Sequence, residues 1–397
     1  MELFNIGNKV LCWWNGLLRY RIPIEVDAGE YVRFDIPAEI EINFSDILKT
    51  YGAADPFNEN SIRLVEIDNN CLVLNKSVPF QFDRSPDYNP VSKATGCVVF
   101  IISGVTKPQY KRMFHLYFDT DPEIGPGLMQ AQIKVANAFA HGADHWKITA
   151  ANATYMFDIK GGALSELRDR DGEDWIQFDN SCPPVQYRGI PNIQTYLEER
   201  KDTGIFHPGF KTAESFIENE GPLKISILTS TYKLDSKWVC RWEIYPMFAR
   251  CTVLQGGECG FGFLYEGVPG GNGFSSNDDF IVESDGEKTY FKPSNFKPLW
   301  THNKSPKWVY FGDDKVYRVL YYAYKEEKST WEKMYEVFDQ LTVFGFGRES
   351  IPGINEYPAH FTLGFCESAD FTYVEKYVNS AYRDLIVKSG TAECYML

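Results

Sequence analysis

Residues 232–271, YKLDSKWVCRWEIYPMFARCTVLQGGECGFGFLYEGVPGG, contain the pattern that decides the fold of this chain. β-Branched and aromatic residues recur in short runs, and turn-forming residues separate these runs at positions 234–236 and 255–257. Such runs are typical of antiparallel strands joined by tight turns. The segment therefore predicts three successive strands, Lys237–Tyr245, Phe248–Leu254 and Gly260–Tyr265.

Glu266 stands at the end of the third predicted strand. It is followed by Gly267–Gly271, a cluster of glycine and proline that breaks the strand. A carboxylate at a strand end, beside backbone that side chains do not shield, is well placed for chemistry. It is equally well explained as a side chain that hydrogen-bonds the backbone of its own turn. The sequence leaves both interpretations open.

Composition restricts the class of protein. The chain has 397 residues, of which 44% are hydrophobic and 16% aromatic, so it is long enough for a large core and for more than one domain. Aromatic residues suit β-sheets and also surfaces that stack on sugar rings. The net charge of −14 disfavours nucleic acid and anionic membranes as partners, because both require a basic surface.

Targeting and cofactor signals are missing from the sequence. The N-terminal segment has no basic stretch followed by an apolar core, and no run reaches the roughly 20 apolar residues that span a bilayer. Nine cysteines occur without CxxC spacing, which is typical of reduced thiols and predicts a cytoplasmic protein. No zinc-binding or phosphate-binding motif occurs, so we expect no metal and no nucleotide cofactor.

Residues 17–118 form a first organisational unit. Alternating segments separated by Gly, Pro, Asp and Asn clusters predict an antiparallel β domain. A short helix is expected over residues 45–51, with Ser45 as its N-cap and Gly52 as its stop signal. The Pro/Gly-rich segment 122–127 predicts a boundary within residues 119–130. The predicted strands are Arg19–Val26, Val32–Ile36, Glu39–Phe44, Ile62–Ile67, Val98–Ile102 and Arg112–Phe118.

The remaining residues predict a second, larger β domain, so that the two domains cover residues 1–121 and 130–397. Turns at 160–163 and 169–172 separate predicted strands. Two helices are expected late in the chain. One follows a capping box formed by Ser329 and Glu332, and the other has a helical period from Val374 to Leu385. The predicted strands at the start of this domain are Trp146–Thr149, Ala153–Ile159 and Ala163–Arg168.

Four segments carry a resemblance to a known fold: YMFDIKGGALSELRDRDGEDWI (155–176), RWEIYP (241–246), FLYEGVPGG (263–271) and LTVFGFGR (341–348). Over about residues 145–390 the chain resembles the β-supersandwich of galactose-mutarotase-like domains in carbohydrate-active proteins. The preceding unit resembles the small β domain of exo-acting rhamnogalacturonan-lyase-like proteins. The resemblance implies an all-β fold, with a small N-terminal β-barrel or sandwich followed by a large antiparallel β-supersandwich and a few short helices.

The sequence also departs from these families. The helical toroid that carries lyase chemistry is missing, and the paired His and Glu of aldose epimerases do not occur in their usual sequence setting. The resemblance therefore implies a fold without assigning a reaction.

Candidate catalytic residues come from a loop and from strand ends. His207 lies in the aromatic, Gly/Pro-rich loop 187–210, and loops of this kind carry binding and catalytic groups on β scaffolds. A histidine before proline is also compatible with a purely structural role. Glu218 and Glu220 follow this loop and would share one face of a strand. The predicted catalytic residues are His207, Glu218, Glu220, Glu243 and Glu266, and the predicted substrate-binding residues are Tyr187, Arg188, Arg241, Tyr265, Trp300, His302 and Arg348.

Arg241 and Glu243 alternate with Trp238 and Trp242 along a predicted strand, so the charged pair and the tryptophans face opposite sides. The charged face is either an exposed row of ion pairs or the floor of a sugar cleft. We expect the cleft to form where loop 187–210 folds over the sheet that contains Arg241, Glu243 and Glu266.

These features favour an enzyme that cleaves a glycosidic bond in an oligosaccharide or polysaccharide. Two carboxylates would serve as acid and base. The first alternative is a lyase acting on a uronic acid, with His207 or Tyr265 as base and Arg241 or Arg188 neutralising the substrate carboxylate. The second is a non-catalytic protein that binds sugars through aromatic side chains.

Overall fold

The computed structural model describes residues 2–6, 9–177, 190–195, 203–206, 212–233, 236–258, 260–291, 300–302, 307–326, 332–337, 340–348 and 353–395. They form two compact units. Unit 1 comprises Met1–Ala131, Gly221–Leu223 and Arg383–Leu397, and unit 2 comprises Gln132–Glu220 and Lys224–Tyr382.

The elements are, in chain order, β1 (Glu2–Ile6), β2 (Lys9–Trp13), β3 (Tyr20–Asp27), β4 (Arg33–Asn43), α1 (Phe44–Thr50), β5 (Asn58–Ile67), β6 (Val73–Asn75), β7 (Phe80–Arg84), β8 (Thr95–Thr106), β9 (Lys111–Asp119), β10 (Lys134–Ala140), β11 (Ala143–Thr149), β12 (Ala153–Asp158), β13 (Ala163–Asp169), β14 (Asn192–Thr195), β15 (Thr203–Phe206), β16 (Glu214–Glu220), β17 (Ile225–Lys233), β18 (Ser236–Ile244), β19 (Ala249–Gln255), β20 (Gly262–Gly267), β21 (Asp279–Glu283), β22 (Lys288–Tyr290), β23 (Trp300–His302), β24 (Trp308–Asp313), β25 (Val319–Tyr324), β26 (Glu332–Val337), β27 (Leu341–Phe346), β28 (Ala359–Cys366), α2 (Phe371–Tyr382), β29 (Ile386–Ser389) and β30 (Glu393–Cys394). Because nearly all of these elements are strands, the predicted all-β fold class is confirmed.

Unit 1 contains a sheet of order β29-β3-β9-β5-β6, to which β30 adds by pairing with β3, a sheet of order β4-β8-β7, and the β1-β2 hairpin. The described strands form open sheets and no closed barrel, so of the two predicted forms the sandwich applies. Phe44, which begins α1, is fully buried and stacks on Phe57 with ring centroids 4.1 Å apart. Packing of this kind, rather than helix propensity, holds so short a helix in place.

The predicted helix near residue 45 is confirmed, but its cap differs. Asn43 is the N-cap, and its side chain accepts a hydrogen bond from the backbone N–H of Asp46. The Ser45 hydroxyl accepts from the backbone N–H of Ala94 at 2.6 Å instead. The capping signal in the sequence therefore located the helix to within two residues of its start.

Two strands predicted over 32–36 and 39–44 are one strand, β4. Its pairing with β8 shifts register between Phe34 and Ile36, and Asp35 between them has a positive φ of 45°. The Asp35 carboxylate accepts from the backbone N–H of Gly104 on the partner strand at 2.7 Å, which supports this β-bulge.

The C-terminal strands belong to the first unit. β29 pairs antiparallel with β3, with Ile386 opposite Asp27. β30 also pairs antiparallel with β3, at the other end of that strand, with Cys394 opposite Tyr20. The sequence pattern predicts instead that these residues belong to a second domain over 130–397. A local sequence pattern does not reveal that the C-terminal strands pair with β3, because the pairing joins residues more than 350 positions apart.

The described strands of unit 2 form three sheets. Their strand orders are β10-β11-β12-β13, β15-β14-β20-β27-β26-β23 and β16-β17-β18-β19-β28-β25-β24-β21-β22. The last two are called the six-stranded and nine-stranded sheets below. Phe263 of the six-stranded sheet stacks on Phe361 of the nine-stranded sheet at 3.7 Å, so the inner faces of these sheets share one core. The three strands predicted from residues 232–271 correspond to β18, β19 and β20.

One of the two helices predicted late in the chain is wrong. Residues 332–337 form strand β26, which pairs with β27 and β23, although the capping box of Ser329 and Glu332 predicts a helix here. Pairing on both edges of the strand overrides the local helical signal. The other helix is confirmed as α2, which buries Val374, Val378 and Ala381. Asp370 caps its N-terminus, since Asp370 Oδ1 accepts a hydrogen bond from the backbone N–H of Tyr373.

Candidate functional site

The outer face of the six-stranded sheet carries a row of buried polar side chains. On β20, Phe263 and Tyr265 point into the core, so Leu264 and Glu266 point to the opposite face. Strand β14 pairs with β20 so that Asn192 lies opposite Leu264. Asn192 and Gln194 therefore share the outer face with Glu266. We call Asn192, Gln194, Glu266 and Arg348 the polar row.

Glu266 is only 2% exposed and Asn192 only 1% exposed. The amide Nδ2 of Asn192 donates to Glu266 Oε1 at 3.3 Å. Asn192 Oδ1 is buried and has no hydrogen-bond partner within the described residues. The main-chain oxygen of Glu266 accepts from the N–H of Gln177 at 3.1 Å, which fixes the strand at this position.

Arg348 is 7% exposed, and its Nη1 donates to Gln194 Oε1. Two glycines provide the space for it. A Cβ on Gly345 would lie 3.0 Å from Arg348 Cβ, and a Cβ on Gly262 would lie 3.2 Å from Arg348 Cα. The absence of a side chain at these two positions thus makes room for the Cα and Cβ of Arg348 beside the sheet.

Tyr265 is placed in the core instead of on this face. Its ring stacks on Phe311 at 4.0 Å, and its hydroxyl donates to the carbonyl of Trp175 at 2.8 Å. Burial raises the pKa of this phenol well above its usual value. These contacts account for Tyr265 as a packing residue.

The other predicted carboxylates lie on the outer face of the nine-stranded sheet or at its edge. Arg241 Nε donates to Glu218 Oε2 at 2.7 Å, and Nη2 donates to Glu218 Oε1 at 3.1 Å. Lys224 Nζ lies 3.5 Å from Glu243 Oε1, and Glu220 is exposed at the end of β16. The Arg241–Glu218 pair is partly exposed, and ion pairs of this kind contribute little to stability, as the solvated-row interpretation expects.

The expected cleft that combines Arg241, Glu243 and Glu266 does not form. Trp238 and Trp242 point into the shared core from the same strand as Arg241, and Tyr265 points into it from the strand of Glu266. The charged residues therefore face away from each other, with the whole core between them. The sequence showed the alternation but not which sheets the strands join.

Several predicted residues cannot be placed. Tyr187, Arg188 and His207 lie outside the described residues, and so do the side chains of Trp300 and His302. The backbone of the last two forms β23, in which Trp300 pairs with Met334. Their proposed roles stay predictions.

A pair of buried acids was not predicted. Asp279 on β21 lies directly opposite Asp313 on β24, and they are 0% and 1% exposed. Burial, with a smaller contribution from the neighbouring Asp313 carboxylate, raises the pKa of Asp279 to about 8. The signal in the sequence is the alternation of Asp279, Ile281 and Glu283, which places acids on the apolar face of a strand.

The described part of the chain contains neither a candidate metal cluster nor a helix that could span a membrane. No group of three or more His, Cys, Asp or Glu side chains there could hold a metal ion. No helix among these residues is long and apolar enough to cross a membrane.

Comparison with known proteins connects this chain to solved structures alone, since no family model and no curated protein matches its sequence. A protein of glycosyl hydrolase family 38 from Enterococcus faecalis superimposes with a TM-score of 0.52 at 10% identity, over 94% of this chain and 47% of that one. A galactose mutarotase related enzyme from Lactobacillus acidophilus superimposes with a TM-score of 0.38 at 12% identity, over 57% of this chain and 98% of that one.

A protein from Escherichia coli K12, described as a candidate aldose 1-epimerase, gives a TM-score of 0.36 at 8% identity, over 59% of this chain and 99% of that one. The chain spans about half the length of the glycosyl hydrolase family 38 protein. At these identities the likeness concerns the fold alone. This chain therefore has a β-sandwich fold. Nearly the whole length of this chain matches a part of the glycosyl hydrolase family 38 protein.

Proposed function

We propose that this protein is a carbohydrate-active enzyme that cleaves a glycosidic bond in an oligosaccharide or polysaccharide, with Glu266 as a reacting carboxylate. The observation that carries the proposal is the polar row on the central strands of the six-stranded sheet. Burial of a carboxylate, two amides and a guanidinium costs free energy that hydrogen bonds and ion pairs must offset. A function that needs these groups is a reason for a protein to keep them at such a position. The fold likeness to a glycosyl hydrolase family 38 protein agrees with a carbohydrate substrate.

Glu266 can accept a proton or donate one within a site from which water is largely excluded. Its contact with Asn192 Nδ2 orients one oxygen of the carboxylate. Hydrolysis requires a second acid or base, and Glu266 is the one carboxylate in the polar row. We assign the role of the second acid or base to His207. In the sequence His207 comes directly after β15, within the segment 187–210 that is predicted to carry catalytic groups.

β-Elimination on a uronic acid is the second candidate, and the composition of the polar row favours it. Elimination needs one base and a cation that neutralises the substrate carboxylate, and the row offers Glu266 together with Arg348. The two reactions differ in their products. Elimination forms an unsaturated sugar that absorbs in the ultraviolet, whereas hydrolysis forms a reducing end without that absorption.

The test is turnover of a mixed panel of neutral and acidic oligosaccharides by the purified chain and by Glu266→Gln. We expect the variant to lose at least about 100-fold in kcat, the scale of losing a general acid or base, with an unchanged melting temperature. Glu214→Gln is the matched control, because Glu214 is an exposed carboxylate on the edge strand β16.

Full activity in Glu266→Gln would exclude Glu266 from the reaction. Sugar binding without turnover of any panel member would instead favour the non-catalytic alternative. If Glu266→Gln unfolds, its carboxylate serves the backbone of its own turn, as the structural interpretation holds.

A further inference from the structure

We propose that a cavity on the outer face of the nine-stranded sheet binds one neutral sugar ring, with Tyr317 as the aromatic platform and the ion pair of Lys288 and Asp314 as a polar wall. This cavity is separate from the polar row, which lies on the six-stranded sheet. The inference therefore goes beyond the proposed function and does not depend on Glu266.

The position of the cavity follows from the alternation of side chains along two strands. On β21, Ile281 points into the shared core, so Phe280 points to the outer face. On β24, Phe311 points into the core, so Tyr310 also points to the outer face. Phe280 and Tyr310 both line a cavity of about 320 Å³. Small-molecule pockets measure roughly 300–1,000 Å³, so this one has room for a single small ligand.

The rim of the cavity is open to solvent. Tyr317, which lines it, is 73% exposed, and the side chains of Lys288 and Asp314 are 37% and 43% exposed. A ligand therefore reaches the ring of Tyr317 and the ion pair directly. One exposed tyrosine is common on a protein surface, but this one borders a cavity whose wall also carries hydrogen-bonding groups.

The turn that carries Tyr317 is held on both sides of this residue. Before it, the backbone N–H of Val316 donates to the carbonyl of Asp313 at 3.0 Å. After it, Arg318 is 6% exposed, and its Nε donates to Glu367 Oε1 at 2.7 Å. Because the neighbouring residues are already ordered, a ligand that packs on the Tyr317 ring loses less free energy to ordering of the chain.

The polar wall presents hydrogen-bond donors beside hydrogen-bond acceptors. Lys288 Nζ donates to Asp314 Oδ1 at 2.8 Å, and the Tyr290 hydroxyl donates to Asp314 Oδ2 at 2.9 Å. An ammonium group has three N–H donors and a carboxylate accepts about four hydrogen bonds, so the pair keeps capacity for a ligand. A hydroxyl both donates and accepts, and two neighbouring sugar hydroxyls match a lysine beside an aspartate.

The charges around the cavity favour a neutral ligand. The charged lining residues are two lysines and two aspartates, whose formal charges cancel: Lys288, Lys315, Asp313 and Asp314. Lys315 Nζ donates to Asp278 Oδ2 at 2.6 Å, so both lysines already lie against a carboxylate. An anionic ligand would compete with these carboxylates, and a cationic ligand would compete with the lysines. A pyranose ring avoids both penalties, since it combines an apolar C–H face with uncharged hydroxyls.

The experiment is titration of the full chain with D-glucose, D-galactose, D-mannose, D-glucuronate and D-galacturonate, followed by ligand-observed NMR. Free monosaccharides contain no glycosidic bond, so cleavage at the polar row does not disturb the measurement. We expect the best neutral sugar to bind about tenfold more tightly than either uronate. Tyr317→Ala should lower the affinity for that sugar about tenfold, the scale of losing one aromatic contact, and Tyr317→Phe should retain it. Asp314→Ala should lower it by a similar factor, because a charged hydrogen-bond acceptor is lost.

Tyr232→Ala is the matched control. Tyr232 lies on β17 of the same sheet and is 74% exposed, but it does not line this cavity. Its replacement should leave the affinity unchanged. The inference is overturned by an unchanged affinity in Tyr317→Ala, by an equal loss in Tyr232→Ala, by tighter binding of a uronate, or by no binding of any of these sugars.

The proposed function has a separate readout, which is loss of turnover in Glu266→Gln. Sugar binding that depends on Tyr317, without turnover of any oligosaccharide, supports this inference and overturns the proposed function. Turnover that depends on Glu266, with an unchanged sugar affinity in Tyr317→Ala, supports the proposed function and overturns this inference.

Discussion

The acid pair Asp279 and Asp313 makes a quantitative prediction about pH and stability. Asp279 Oδ2 accepts from the backbone N–H of Ser275 at 3.0 Å, and Oδ1 is buried with no hydrogen-bond partner among the described residues. Two buried carboxylates directly opposite each other in a sheet cannot both be charged without a large cost. In the folded protein Asp279 therefore keeps its proton well above the pH at which an unfolded aspartate loses it.

The sign and the size follow from the pKa. Folding raises the pKa of Asp279 from 3.8 to about 8, so between these values the folded state binds a proton that the unfolded state lacks. The stabilisation is complete below pH 3.8 and is lost as the pH rises through about 8. A shift of about 4 units corresponds to an upper limit of about 5 kcal/mol, since each unit is worth 1.36 kcal/mol. Relaxation around the charged pair reduces this to about 2–3 kcal/mol, because even buried sites respond with an effective dielectric constant of about 20.

Asp279→Asn tests this account. The amide imitates the protonated acid, because its oxygen can accept from Ser275 and its NH₂ can donate to Asp313. In urea unfolding followed by tryptophan fluorescence at pH 5, 7 and 9, we expect the stability difference between the variant and the wild type to be smallest at pH 5 and to grow with pH. At pH 9 it should be more stable by about 2–3 kcal/mol.

Asp314→Asn is the control, because Asp314 is a neighbouring aspartate whose hydrogen bond from Lys288 lowers its pKa. Removing its charge should not stabilise the protein at any of these pH values. An identical pH dependence in the wild type and Asp279→Asn would refute the reasoning about the buried pair.

Two further predictions concern the loop and the domain boundary. His207→Ala should lower kcat on the identified substrate at least about 100-fold with an unchanged melting temperature, and retained activity would remove His207 from the mechanism. Limited proteolysis should cut within residues 119–130, yet the two fragments should co-elute in size-exclusion chromatography and separate only in denaturant, because β29 from the second fragment pairs with β3 from the first. Separation in native buffer would contradict the pairing.

The sequence predicted the parts of the fold that depend on neighbouring residues. Alternation in residues 232–271 located β18, β19 and β20, and the helical period from Val374 located α2. It failed where a distant partner decides the outcome. The segment 332–337 has a plausible helix cap in front of it, but two neighbouring strands make it a strand.

The candidate site was accessible to sequence analysis only in part. Glu266 and Arg348 were predicted from strand ends and glycine-rich turns, and both belong to the polar row. Asn192 and Gln194 were not proposed as site residues, because β14 pairs with a strand about 70 residues further along the chain. The grouping of Arg241 with Glu266 was wrong for the same reason, since strand order within sheets does not follow from local pattern.

The pairing of β29 and β30 with β3 also constrains the order in which the chain can fold during synthesis. Strand β3 is made early, but its partners on one edge lie beyond residue 385 and are translated after the whole of unit 2. Until then β3 has one open edge, which is the kind of surface that recruits other nascent chains. Unit 1 therefore remains incomplete during most of translation. Premature termination within unit 2 would yield products that are prone to aggregate.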